Sequence, residues 1–191
     1  MGGPGSSRAA AEAERVLQQA RQEFASLGEP WDNYRVDVEL LATLLFDLGT
    51  QRVPDLRVGS RDYAGFLDGD ARLVAVEASH HGHRQRFSIA HEVGHFVLHY
   101  RPRTGLFTCT SADMETSRGL GGVGARAQHV RREVEANQFA SALLMPEPSV
   151  RAMHRVTGGR TVALARHFDV SPKAMEIRLE QLSLPFTALS R

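Results

Sequence analysis

Residues 84–100 read RQRFSIAHEVGHFVLHY. Phe87, Ala90, Val93, Phe96 and Val97 recur at helical spacing, which predicts a helix over Gln85–Tyr100. Inside it stands the pattern HExxH, formed by His91, Glu92, Val93, Gly94 and His95. Residues four apart share one face of a helix, so both imidazoles can meet one metal ion. Glu92 projects beside that face, where its carboxylate can take a proton from a metal-activated water. Gly94 is costly in a helix interior, by about 1 kcal/mol relative to Ala, so it points to a close approach by another element.

A catalytic metal of this kind takes a third protein ligand. The metzincin extension asks for Gly and His seven and ten positions after the first His, and these positions hold Leu98 and Arg101. His99 lies one turn further along and reads as packing or capping at the helix end. A second helix, expected over His129–Leu144, offers Glu133 and Asn137 four apart on one face. Glu133 can complete a His₂Glu set, and Asn137 can orient a ligand histidine from behind. Glu135 lies on another side of that helix. The remaining candidates are weaker. Tyr100, His154 or an arginine could donate to an oxyanion, and Cys109 could cap the metal. The reading preferred for Cys109 is an incidental thiol, and for His80, His81 and His83 an exposed polar turn.

Outward from this centre the chain reads as α+β. Met1–Ser7 is Gly- and Ser-rich and expected to be disordered, and Arg8–Leu27 is a helix ended by Gly28 and Pro30. Val36–Leu48 is a second helix, for which Gly49 is the expected stop. Arg52–Val58, Tyr63–Leu67 and Arg72–Glu77 are candidate strands, giving a small sheet of about three. Arg101–Ala127 is Gly-rich and reads as a long mobile loop that could cover a cleft. Glu147–His154 is a short helix, and Thr161–Phe168 with Pro172–Leu182 forms a helical pair resembling a helix-turn-helix.

Composition narrows the class. The chain has 191 residues, 42% hydrophobic and 24% charged, which suits a folded domain rather than a disordered or disulfide-rich one. One cysteine allows no intrachain disulfide, and no signal-peptide pattern or membrane span is visible, so a cytoplasmic protein is expected. The net charge of +1 divides unevenly, from −5 over residues 1–80 to +4 over residues 151–191. The last helix sets Lys173 and Arg178 against Glu176 and Glu180, a poor pattern for reading a DNA groove, so direct nucleic-acid binding is not expected. The alternative to an enzyme is a metal-stabilised protein- or DNA-binding regulatory module; the intact Glu92 counts against it, since metal binding does not need that residue.

RQRFSIAHEVGHFVLHY at 84–100, EVEANQFASALLMP at 133–146 and TVALARHFDVSPKAMEIRLEQLSL at 161–184 together resemble the ImmA/IrrE family of zinc-dependent endopeptidases, over about residues 36–184. The resemblance implies a mostly helical, zincin-like core; the chain as a whole is expected to divide into residues 1–30 as a disordered start and helix, 31–146 as the metallopeptidase domain and 147–191 as a C-terminal helical subdomain. It places Arg72–Glu77 where the family has its edge strand, a candidate for strand addition by substrate, and leaves no room for a GAF-like sensor domain. It implies His91, His95 and Glu133 as metal ligands and Glu92 as catalytic acid/base, with Zn²⁺ as the metal, although Mn²⁺ or another divalent ion would suit the same donors. It also implies a protein substrate, a helix-turn-helix repressor or antitoxin of bacterial or phage-like type, whose cleavage relieves repression.

Overall fold

Helix α1 (Arg8–Leu27) begins at Ser7, whose hydroxyl accepts from the Ala10 N–H, and ends at Gly28 in the left-handed region. The computed structural model describes residues 7–58, 61–100, 107–110 and 123–187. Ala9, Ala13, Val16, Leu17, Ala20 and Phe24 form the buried stripe of α1. Helix α2 (Val38–Phe46) is capped by Asp37, which accepts from the Leu40 N–H at 3.0 Å. Its end differs from expectation. Asp47, not Gly49, adopts the left-handed conformation, with φ 54°. An aspartate tolerates that region better than most residues. The early stop buries Leu48 and releases Gly49 to open a strand, its N–H donating to the Arg72 carbonyl.

The expected small sheet is present, and five strands are described in it. They are β1 (Gly49–Val53), β2 (Arg57–Val58), β3 (Arg61–Asp68), β4 (Leu73–Glu77) and β5 (Phe107–Thr110). β1 pairs parallel with β4, which pairs antiparallel with β3; β2 and β5 both pair antiparallel with β3. β4 is therefore interior, not an edge. Its two sides are already bonded to β1 and β3, so the expectation of strand addition at Arg72–Glu77 is overturned. The expected mobile loop is also corrected in part: residues 107–110 form β5, and helix begins at Val123. Residues 101–106 and 111–122 lie outside the described residues, and so does the reading of that segment as a cover for the cleft.

Glu77 locks the turn after β1 to the end of β4. Its carboxylate accepts from the Leu56 N–H at 2.6 Å and the Ser79 N–H at 2.9 Å. Those backbone donors hold its pKa down to about 2.

Helix α3 (Gly82–His99) packs on β3, β4 and helix α4 (Val123–Leu144). α4 in turn lies against α1. Gly94 is the contact point of α3 with α4. A Cβ there would sit 3.1 Å from Phe139 Cδ1 and 3.3 Å from the Ala136 backbone, so the absent side chain lets the helices approach. Helices α5 (Glu147–Thr157), α6 (Thr161–Phe168) and α7 (Pro172–Gln181) complete the chain. Val16, Leu41, Val74, Ile89, Phe139, Phe168 and Met175 belong to one continuous core. Each buried side chain of this size contributes about 1.5–3 kcal/mol. Arg178 is buried, and its Nε donates to the Met145 carbonyl at 2.9 Å, tying α7 to the C-terminus of α4. Glu176 is buried as well.

Candidate metal centre

His91 and His95 lie one turn apart on α3, with ring centroids 4.6 Å apart and their Nε2 atoms 3.0 Å apart. From α4, Glu133 brings Oε2 to 3.3 Å from His91 Nε2 and Oε1 to 3.2 Å from His95 Nε2. The side chains are almost fully buried, at 0%, 1% and 2% exposure. Among the described residues this is the one group of three or more His, Cys, Asp or Glu whose ligand atoms converge as a metal site would require. Two imidazole nitrogens with a carboxylate beside them form an N₂O donor set suited to a divalent ion.

Behind the ligands, His91 Nδ1–H donates to Asn137 Oδ1 at 3.0 Å. An amide oxygen only accepts, so the proton is on Nδ1 and Nε2 is left for a metal. Burial pushes His95 down to about 4, against the upward pull of Glu133, so its ring is neutral near pH 7 and able to ligate. Burial raises the Glu133 carboxyl, but the two histidines outweigh it and its net shift is downward.

Glu92 is fully buried beside β3. Gly65 makes the room: a Cβ on it would stand 2.6 Å from Glu92 Oε1 and 3.2 Å from its Cγ. Sequence reasoning missed Gly65, although a glycine within a strand is a signal of close approach. It also missed His129, one turn before Glu133 on α4, whose Nδ1 lies 3.9 Å from Glu133 Oε1. Its i,i+4 spacing to Glu133 was the available signal.

Other sequence candidates lie elsewhere. Tyr100 donates to Asp70 Oδ1 at 2.7 Å, and His154 Nε2 donates to the Pro185 carbonyl at 2.6 Å. Neither belongs to the converging group. His99 Nε2 donates to the Arg132 carbonyl, a packing role at the helix end, and Glu135 pairs with Arg131. His81 caps α3 by accepting from the His83 N–H, and His83 reaches Asp169 at 3.2 Å. The side chain of Cys109 lies outside the described residues; its backbone pairs with Gly65.

The family profile of peptidase M78, the IrrE N-terminal-like domain, matches residues 52–180, more than half of the chain, and includes every residue of this centre. The chain belongs to the peptidase M78 family. A curated relative of this M78 chain, the radiation response metalloprotease IrrE of Deinococcus radiodurans, is 31% identical over 132 residues. That match covers 67% of the chain and 36% of IrrE, so the chain spans about a third of that relative's length. A solved structure of a Mycobacterium tuberculosis transcriptional regulator superposes with a TM-score of 0.54 at 20% identity, covering 90% of this chain and 48% of that one. At that identity the likeness concerns the α+β fold alone. Among the described residues, no helix is long and apolar enough to cross a membrane.

Proposed function

We propose that this M78 chain is a zinc-dependent endopeptidase that hydrolyses a peptide bond in a protein substrate, a helix-turn-helix repressor or antitoxin, and so relieves repression. The observation that carries the reading is the burial of Glu92 beside the His91–His95–Glu133 group, in a space that Gly65 keeps open. A structural metal site would not need that carboxylate.

His91, His95 and Glu133 would hold the ion. Bound there, Zn²⁺ would supply Lewis acidity toward the attacking water and the scissile carbonyl. Asn137 keeps the His91 tautomer correct for ligation. Glu92 takes the proton of the attacking water and returns it to the leaving amine. His129, whose Nδ1 lies 3.9 Å from Glu133 Oε1, stands beside the ligands where Tyr100 and His154 do not, and suits stabilisation of negative charge on the carbonyl oxygen. Mn²⁺ or another divalent ion would suit the same donors. The name of the Deinococcus relative supports the metalloprotease assignment. The burial of Glu176 and Arg178 leaves α7 few charges for a DNA groove, which supports a protein partner over direct nucleic-acid binding. The single cysteine supports a cytoplasmic setting.

The test is co-expression of the wild type and Glu92→Gln with helix-turn-helix repressors from the same genome, read by intact mass. One chelator-sensitive cut with the wild type alone is expected. A stable, metal-loaded complex without any cut would instead favour a binding module.

A further inference from the structure

A groove of about 650 Å³ runs between the N-terminal end of α3, α4 and α7, and of its lining residues Asn137 alone serves the metal centre. Its wall follows one face of α4 from Val134 through Ser141 and runs on to Met145, just past the helix end. At 1.5 Å per residue that is about 16 Å, three turns. Phe87 and Ile177 line it from α3 and α7. Val134 and Ile177 are 45% and 43% exposed, an apolar pair open to an incoming surface.

Charge and position say what covers it. Among the described residues the lining includes Arg84, Lys173, His81 and His83 and no carboxylate. His83 is held by Asp169 and Lys173 by Glu176, each from outside the lining, while Arg84 has no ion pair among the described residues. Asn137 also lines the groove, so one end of it lies directly behind His91. Among the described residues the lining comes from helices and the turns at their ends and from no strand, so an extended peptide would find no strand edge for its backbone groups. A helix satisfies its own backbone and presents apolar anchors at i, i+3, i+4 and i+7.

We infer that this groove docks an amphipathic helix of the substrate protein, apolar face inward and acidic residues along its rim, and thereby presents the adjoining segment to the metal centre. This rests on the peptidase reading above. The test uses full-length Glu92→Gln protein loaded with Zn²⁺ and two fluorescein-labelled peptides of about 18 residues, five helical turns. Both carry the same leucine face; one has glutamates and the other lysines on its polar face. By anisotropy the Leu/Glu peptide should bind, and the Leu/Lys peptide should bind about tenfold more weakly or less. Ile177→Asp and Val134→Asp, both at exposed positions, should each weaken the Leu/Glu peptide about tenfold, and Arg84→Glu should narrow the preference between the peptides. Thermal melts of the variants check that they fold. No binding by either peptide, equal binding by both, or unchanged binding by folded Ile177→Asp and Val134→Asp would each overturn the docking. Cleavage of the repressor by wild type without peptide discrimination removes the docking alone. Peptide discrimination without cleavage removes the peptidase reading and leaves a docking module.

Discussion

Asn137 Oδ1 lies 3.0 Å from Nδ1 of His91, and His91 Nε2 lies 3.3 Å from the Glu133 carboxylate on the same helix as Asn137. One turn of α4 therefore both supplies a ligand and sets the tautomer of another. Removing the amide in Asn137→Ala leaves the His91 ring free to turn. Chelator competition should show metal affinity lower by about 10- to 100-fold. Asn137→Asp keeps an acceptor and should retain most of it. Equal affinity in Asn137→Ala and wild type would sink the orienting role.

Glu92→Gln keeps shape and burial but removes the base. Turnover should fall by about 10²- to 10⁴-fold, with bound metal measured by elemental analysis unchanged. Loss of metal in this variant would mean that Glu92 is a ligand.

His129→Ala tests the added donor beside Glu133. Turnover should drop by about 100-fold with metal retained, the scale of one lost oxyanion donor. A chelator titration matching wild type with unaltered rates would remove His129 from the chemistry.

Gly94 and Gly65 both prevent a clash, but the neighbours differ. At Gly94 a Cβ meets the Phe139 ring and the Ala136 backbone, so Gly94→Ala overpacks the α3–α4 contact. The cost should be about 1–3 kcal/mol, larger than the helix-propensity gain of about 1 kcal/mol, and read as a lower melting temperature. At Gly65 the neighbour is the flexible Glu92 side chain, which can move. Gly65→Ala should leave the melting temperature nearly unchanged and lower turnover. A stabilised Gly94→Ala would show that the helices part more easily than this packing implies.

Glu77 makes stability depend on acid. Its folded pKa, about 2, lies below the ordinary carboxyl value of 4.5, so its contribution is present above pH 4.5 and fades as the pH falls through 2. Glu77→Gln should cost about 1.5–3 kcal/mol at pH 7, since hydrogen bonds to a charged acceptor are lost. The gap between wild type and variant, followed by denaturant unfolding, should shrink steadily from pH 5 to pH 3. A gap that stays constant would place the effect in packing instead.

His91, Glu92 and His95 were legible without any structure, because their spacing is a property of one helix. Glu133 and Asn137 were legible for the same reason, and Gly94 announced a close approach through its cost to a helix. Each of these signals lies within four residues of chain. The tertiary structure decided what no local period carries: that β1 runs parallel to β4, that β4 is interior, and that Gly65 of β3 stands against Glu92 of α3. It also set Tyr100 on Asp70 and His154 on the Pro185 carbonyl, and it buried Arg178 on the end of α4. The physical reason is range. Helical faces and caps follow from backbone geometry repeated every few residues. Strand order and the meeting of side chains from distant elements follow from how the whole chain buries its apolar surface and pairs its backbone at once.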